Sequence, residues 1–199
     1  MNDKVFKVSS EFYYKIIDAA EDGNFDGLDA LLKEGADINV RSLSNGKTAL
    51  MKVCTCIKNT NYANQAINYL VKNGANICLH DDRGETALMI YLSSNKPEYT
   101  DISSVRLLAN ERIVNDANDF GSTPLFAALN HAIPPKYEIL EFLLQIGANP
   151  RIRNKNFSCA LSILENPSYD GYILSNIKVN NKKVKQEFSG LISKYVEKK

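Results

Sequence analysis

Apolar residues along this chain come in short bursts at helical spacing, punctuated by glycine and by polar turns. Phe12, Tyr13, Ile16, Ile17 and Ala20 recur on one helical face, and Glu21-Asp22-Gly23-Asn24 then turns the chain into Phe25, Leu28, Leu31 and Leu32. Near the other end Val184, Phe188, Leu191, Ile192 and Tyr195 form a further stripe with lysines on the opposite face. Between these stripes one short element recurs as Gly46-Lys47-Thr48-Ala49-Leu50-Met51, Gly84-Glu85-Thr86-Ala87-Leu88-Met89 and Gly121-Ser122-Thr123-Pro124-Leu125-Phe126. A decayed copy reads Phe157-Ser158-Cys159-Ala160-Leu161-Ser162, and the third position falls at 48, 86, 123 and 159, in steps of 38, 37 and 36 residues. A second element precedes each copy: Leu31-Leu32-Lys33-Glu34-Gly35-Ala36, Leu70-Val71-Lys72-Asn73-Gly74-Ala75 and Leu143-Leu144-Gln145-Ile146-Gly147-Ala148, with Leu107-Leu108-Ala109-Asn110-Glu111 as its degenerate counterpart.

The two elements hold phase. Residues 74 to 86, 111 to 123 and 147 to 159 are each 12 apart, and the first junction, 35 to 48, is one longer. Thr in Gly-x-Thr stands where its hydroxyl can cap the first backbone N–H groups of a helix. Pro124 fits the first helical turn, and the preceding Gly allows a positive φ. Leu-Leu-x-x-Gly-Ala packs the last turn of a second helix and stops it with Gly beyond the end. The predicted unit is turn, helix, connection, helix, Gly stop; one unit cannot bury its apolar face alone, so the copies stack.

These residues resemble the ankyrin repeat, whose period is about 33 residues. The resemblance implies an all-α solenoid of stacked antiparallel helix pairs joined by hairpin-like turns. It gives one domain over 1–199, with repeats at 9–41 (N-terminal cap), 42–80, 81–117, 118–153 and 154–199 (C-terminal cap). The family's usual His is replaced by Met51, Met89, Phe126 and Ser162, so its hydrogen-bonding role is expected to give way to apolar packing in three copies. Glu111 and Phe157 stand where the other copies have glycine. The added residues, Lys58 to Asn61, Asn95 to Thr100 and Ala132 to Lys136 with Pro134-Pro135, are polar or proline-containing and are expected as exposed loops.

Composition narrows the function. With 199 residues, 44% of them hydrophobic, the chain can bury a continuous core, and a net charge of +1 gives no global reason to wrap nucleic acid or dock on an acidic membrane. Met1 to Ser10 lacks a signal-peptide pattern and no apolar run approaches the ~20 residues of a membrane span, so a cytoplasmic location is expected, with signal-peptide-independent secretion left open. Cys54, Cys56, Cys78 and Cys159 have no disulfide-framework spacing and read as reduced thiols. Cys54-Thr55-Cys56 is too closely spaced for zinc and lacks a second pair. His80 and His131 fall in different repeats, and no spacing brings a nucleophile or carboxylate to either. Asp81 reads as a turn-forming residue with Asn118 and Asn154 as counterparts, not as a metal site with Asp82. The expectation is a non-enzyme without cofactor, metal or small-molecule substrate.

By resemblance, a partner protein meets the concave face of hairpin tips and inner helices, and the chain is expected to act as a monomer. The tip positions are Arg41, Asn45 and Lys47; His80, Asp82, Arg83 and Glu85; Asp119, Phe120 and Ser122; and Arg153, Lys155, Asn156 and Ser158. Thr55, Ser93, Ser94, Asn130 and His131 add inner-helix ends. Phe120 is the sharpest of these. An aromatic at a tip either packs on the adjacent hairpin or awaits a partner. The tip charges are mixed in the middle and basic at both ends. A second function class uses Lys178, Lys182, Lys183, Lys185, Lys194, Lys198 and Lys199 to bind anionic lipid or nucleic acid, although such a run is more often a solvated face. Asn39 resembles the hairpin asparagine modified by hydroxylases in animal ankyrin repeats; a backbone-satisfying role is the plainer reading.

Overall fold

The repeated elements start and stop helices where their chemistry requires, in a computed structural model that describes residues 2–55, 60–94, 100–131, 136–160, 162 and 181–195. The elements are α1 (Asn2–Glu21), α2 (Phe25–Lys33), α3 (Ala49–Val53), α4 (Thr60–Lys72), α5 (Ala87–Ser94), α6 (Ile102–Leu108), α7 (Pro124–His131), α8 (Tyr137–Gln145) and α9 (Asn181–Tyr195). Cys56, Lys58, residues 95–99 and 132–135 with Pro134-Pro135, Leu161, Lys178, Lys198 and Lys199 lie outside the described residues, as do the side chains of Ser94, Asn130, His131, Lys182, Lys183, Val184, Lys185 and Phe188.

Thr48, Thr86 and Thr123 each accept, at 3.3 Å, the backbone N–H three residues on, from Met51, Met89 and Phe126. Cys159 cannot do this. Instead Ser162 Oγ reaches back to accept the Cys159 N–H at 2.8 Å. The histidine substitutes pack as expected, with Met51, Met89 and Phe126 at 1%, 2% and 8% exposure. The bonding role is not wholly lost, however, because Met51 Sδ accepts the Thr48 N–H at 3.5 Å.

At the stops, Gly35, Gly74 and Gly147 take φ of 90°, 92° and 97°. The N–H groups of Ala36, Ala75 and Ala148 then reach the carbonyls of Leu31, Leu70 and Leu143, closing each helix end. The third stop works differently. α6 ends in the extended Ala109, and the Asn110 side chain accepts the N–H groups of Arg112 and Ile113, so Glu111 needs no positive φ.

Helices α1, α3, α5 and α7 stack along the hairpin side, each against the next; on the other side α4 packs on α6, α6 on α8, and α9 on α8. Within pairs, α1 meets α2, α3 meets α4, α5 meets α6 and α7 meets α8. The central α5 is enclosed on every side, with Ala87 to Leu92 all at or below 2% exposure. Tyr91 brings a hydroxyl into this core, and it is satisfied: it donates to Asn64 Oδ1 and accepts the Asp101 N–H, both at 3.0 Å. Thr100, expected in an exposed loop, is buried at 2%. Its carbonyl accepts the Lys136 ammonium, which ties two inter-helix connections together. Thr60 and Asn61, expected in a loop, open α4 instead.

At either end of the described stack a helix buries apolar residues against its neighbour. Tyr13, Ile16, Ile17 and Ala20 of α1 are buried, and Asn24 caps α2 by accepting the Gly27 N–H. At the other end α9 seats Ile192 in the core, and Lys194 and Tyr195 both donate to Glu141 of α8, at 2.6 and 2.9 Å.

Candidate partner-binding surface

Three of the hairpins are each built by one side chain, and the first by two, Ser42 and Asn45. Asp81, Asn118 and Asn154 accept, on Oδ1, the N–H groups two and four residues on, at 2.9 to 3.0 Å. The turn-forming role expected of these three residues is what the geometry shows. The first hairpin is one residue longer, and there Asn45 Oδ1 accepts the Lys47 N–H.

Successive hairpins are then laced into one strip. Asp82 donates its N–H to the Asn45 carbonyl, Asp119 to Arg83 and Lys155 to Phe120, at 3.0, 2.9 and 2.9 Å. Behind the strip runs a second ladder: Asn39 accepts the Asn76 N–H at 2.7 Å and donates to the Gly74 carbonyl, and Asn115 does the same to Asn149 and Gly147. Asn39 is thus engaged with the backbone of the next repeat.

The strip sorts the residues expected at the surface into two groups. Several serve the fold. Arg41 donates to the carbonyls of Gly46 and His80, and it lies 3.5 Å from Asp82. Lys47 is 3.8 Å from the buried Asp81. Ser93 and Thr55 turn their hydroxyls back onto helix carbonyls, and Arg153 holds the Phe157 carbonyl at 2.9 Å. His80 does have a carboxylate partner, contrary to the sequence reading: Asp116, 36 residues on, lies 2.9 Å from Nε2. No local pattern announces it, because the stacking of one repeat on the next brings it there.

A second group faces outward. Asn45, Asp82, Arg83, Asp119, Phe120, Lys155 and Asn156 are exposed, with Ser122 and Ser158 half-buried. The Phe120 ring is 62% exposed, so the adjacent hairpin does not cover it. It overhangs a groove of about 200 Å³ lined by Glu85, Met89, Ser93, Asn118, Ser122, Phe126 and Ala127. Four residues from three separate sequence segments, Glu85, Ser93, Phe120 and Ser122, therefore meet at one concavity.

Two exposed apolar tips escaped the sequence reading as surface candidates: Leu43 at 71% and Phe157 at 79%. The signal that marked Phe120, an apolar side chain within a turn, was present for both. The expectation of basic charge at both ends is also refined, since the first hairpin's cations are engaged internally and those of the last are more open. Among the described residues no group of three or more His, Cys, Asp or Glu could hold a metal ion, and no helix is long and apolar enough to cross a membrane. Cys54 is fully buried, and burial pushes its thiol far above the ordinary range.

The family model for ankyrin repeats, in three copies, matches residues 55–154, half of the chain. This chain belongs to the ankyrin-repeat family. An ankyrin repeat protein of Acanthamoeba polyphaga mimivirus is 32% identical over an alignment of 142 residues that covers 68% of this chain and 22% of that protein. The intracellular phospholipase A2 of Caenorhabditis elegans is 33% identical over 89 residues, 44% of this chain and 8% of that protein. The chain thus spans less than a quarter of either relative. Ankyrin repeats generally mediate protein–protein interaction and are generally non-catalytic.

Proposed function

We propose that this chain is a non-catalytic, monomeric protein-interaction module of the cytoplasm that seats a partner on the concave face, with Phe120 as its anchor. The observation that carries the reading is the uncovered Phe120 ring beside a groove with an apolar floor and a polar rim. An aromatic over a pocket is the arrangement from which interface hot spots are made. Arg83 and Asp82 supply charges on the neighbouring tip, where they would orient a partner more than add affinity.

The test is capture of a partner isolated from the native source, identified by mass spectrometry and then purified. Alanine at Phe120, Arg83 and Asp82 is expected to abolish binding and to leave the thermal melt within a degree or two, because none of the three side chains is buried. Undiminished capture by the triple variant refutes the concave-face assignment. The alternative, anionic lipid or nucleic-acid binding through the basic C-terminal helix, loses one of its cations, since Lys194 is paired with Glu141. Retention on heparin or anionic liposomes that survives modest salt, weakens as salt rises further and is abolished by neutralising Lys182, Lys183 and Lys185 would restore it.

A further inference from the structure

The fourth hairpin departs from the other three in backbone, and its cations, unlike those of the equally basic first hairpin, are not paired with carboxylates among the described residues. Where Gly46, Gly84 and Gly121 take φ of 68°, 71° and 77°, this hairpin places Phe157 at 60°, the one non-glycine residue with positive φ among those described. In that conformation the Cβ crowds a carbonyl oxygen, so a bulky side chain is disfavoured where glycine is comfortable. The turn is nonetheless braced: the Phe157 N–H donates to the Asn154 carbonyl and its own carbonyl accepts Arg153 Nη1, both at 2.9 Å. The outcome is a ring held 79% exposed on a turn that opposes it. Such strain is a reason to look for a function.

Charge supplies the second observation. Residues 149–158 contain Arg151, Arg153 and Lys155 and no carboxylate. All three are exposed, and among the described residues none has a carboxylate at ion-pair distance. Asp119, on the adjoining tip, leans the other way, its Oδ1 lying 3.4 Å from where a Cβ on Gly84 would stand. The bond from the Lys155 N–H to the Phe120 carbonyl makes the fourth tip continuous with the third.

We propose that the fourth hairpin docks an acidic polypeptide segment, with Phe157 against one of its apolar side chains and Lys155 and Arg153 against its carboxylates. This rests on the concave-face reading and gives the partner its chemistry. A polypeptide fits better than a nucleic acid because the next tip along the strip carries Asp119 and no cation, and the one beyond is mixed, with Asp82 beside Arg83. A backbone charged at every step would be repelled at Asp119, whereas an acidic stretch can end before it.

The test measures fluorescence anisotropy with a short labelled peptide of alternating glutamate and leucine, at about 0.15 M salt. A lysine–leucine peptide and a single-stranded oligothymidylate serve as controls. The full chain is expected to bind the acidic peptide at least about tenfold more tightly than either control. F157G is expected to weaken that binding about tenfold while raising the melting temperature, a combination that a purely structural Phe157 would not give. K155E is expected to weaken that binding at least about tenfold. Peptide binding unchanged in both variants, or oligothymidylate bound as tightly as the peptide, overturns the proposal. The purified partner separates the two readings. Capture lost with F120A but untouched by F157G refutes only the fourth-hairpin site, and capture indifferent to both refutes the concave face as well.

Discussion

At the scale of single residues, a missing Cβ has two distinct uses here, and they separate under mutation. Gly147 and Gly121 both have positive φ, 97° and 77°, so alanine at either carries the left-handed penalty of roughly 1–2 kcal/mol. A Cβ on Gly147 would meet nothing within 4 Å, whereas one on Gly121 would come within 2.8 Å of Asn154 Cα in the next hairpin. Backbone cannot rotate aside as a side chain can. G121A is therefore expected to lose clearly more than G147A, by about 1 kcal/mol or more, in urea denaturation. F157G runs the same logic in reverse. It relieves the left-handed penalty and removes no buried contact, for a net gain of about 1 kcal/mol after the extra chain entropy of glycine. The caps at Thr48, Thr86 and Thr123 and the turn bonds of Asp81, Asn118 and Asn154 were legible in the sequence because each is satisfied within four residues. The His80–Asp116 pair was not, because its partners sit in different repeats.

At the scale of elements, the last helix described, α9, has no Gly-x-Thr signal and holds on by its own means. Ile192 is buried, and Glu141 of α8 accepts hydrogen bonds from Lys194 and Tyr195. Those bonds favour the ionised carboxylate and pull its pKa below the ordinary value of 4.5. A lowered acid pKa contributes stability that is present above the unfolded value and is lost as pH falls through the folded one. The protection factors of α9 amides, with the intrinsic exchange rate divided out, are accordingly expected to fall below about pH 4.5 while those of α5 hold, and E141Q should remove most of the difference. The contrast between α6 and its counterparts has the same lesson. A stop missing its glycine is replaced by another device, the Asn110 side chain, and the stack continues unbroken.

At the scale of the whole molecule, aromatic hydroxyls tie neighbouring repeats together. Tyr69 of α4 stacks on Phe25 of α2 at 5.0 Å and donates to Asp29, so its pKa is pushed up to about 12, by burial first and then by that carboxylate. Burial raises Tyr91 as well. A raised phenol pKa gives stability that is complete below about pH 10, the unfolded value, and is lost as pH climbs through the folded one. The melting temperature is expected to fall above about pH 10, and Y69F should flatten part of that fall in a melt series. A slope unaltered by Y69F would show that the Tyr69–Asp29 contact contributes nothing in solution.

The period, the caps, the glycine stops and the turn residues were determined by the sequence alone, because each rests on hydrogen bonds and φ values local to a few residues and recurs in at least three copies. That repetition also carried the family assignment and the class of function. Only the stacked structure decided which tip side chains are spent on neighbours and which remain open. Arg41 and Arg153 look alike in the sequence, yet Arg41 also spans to the His80 carbonyl of the next repeat. Phe120 could have packed against a hairpin and does not. Exposure depends on how repeats separated by about 36 residues approach one another, which is a property of the packed solenoid and of no single segment.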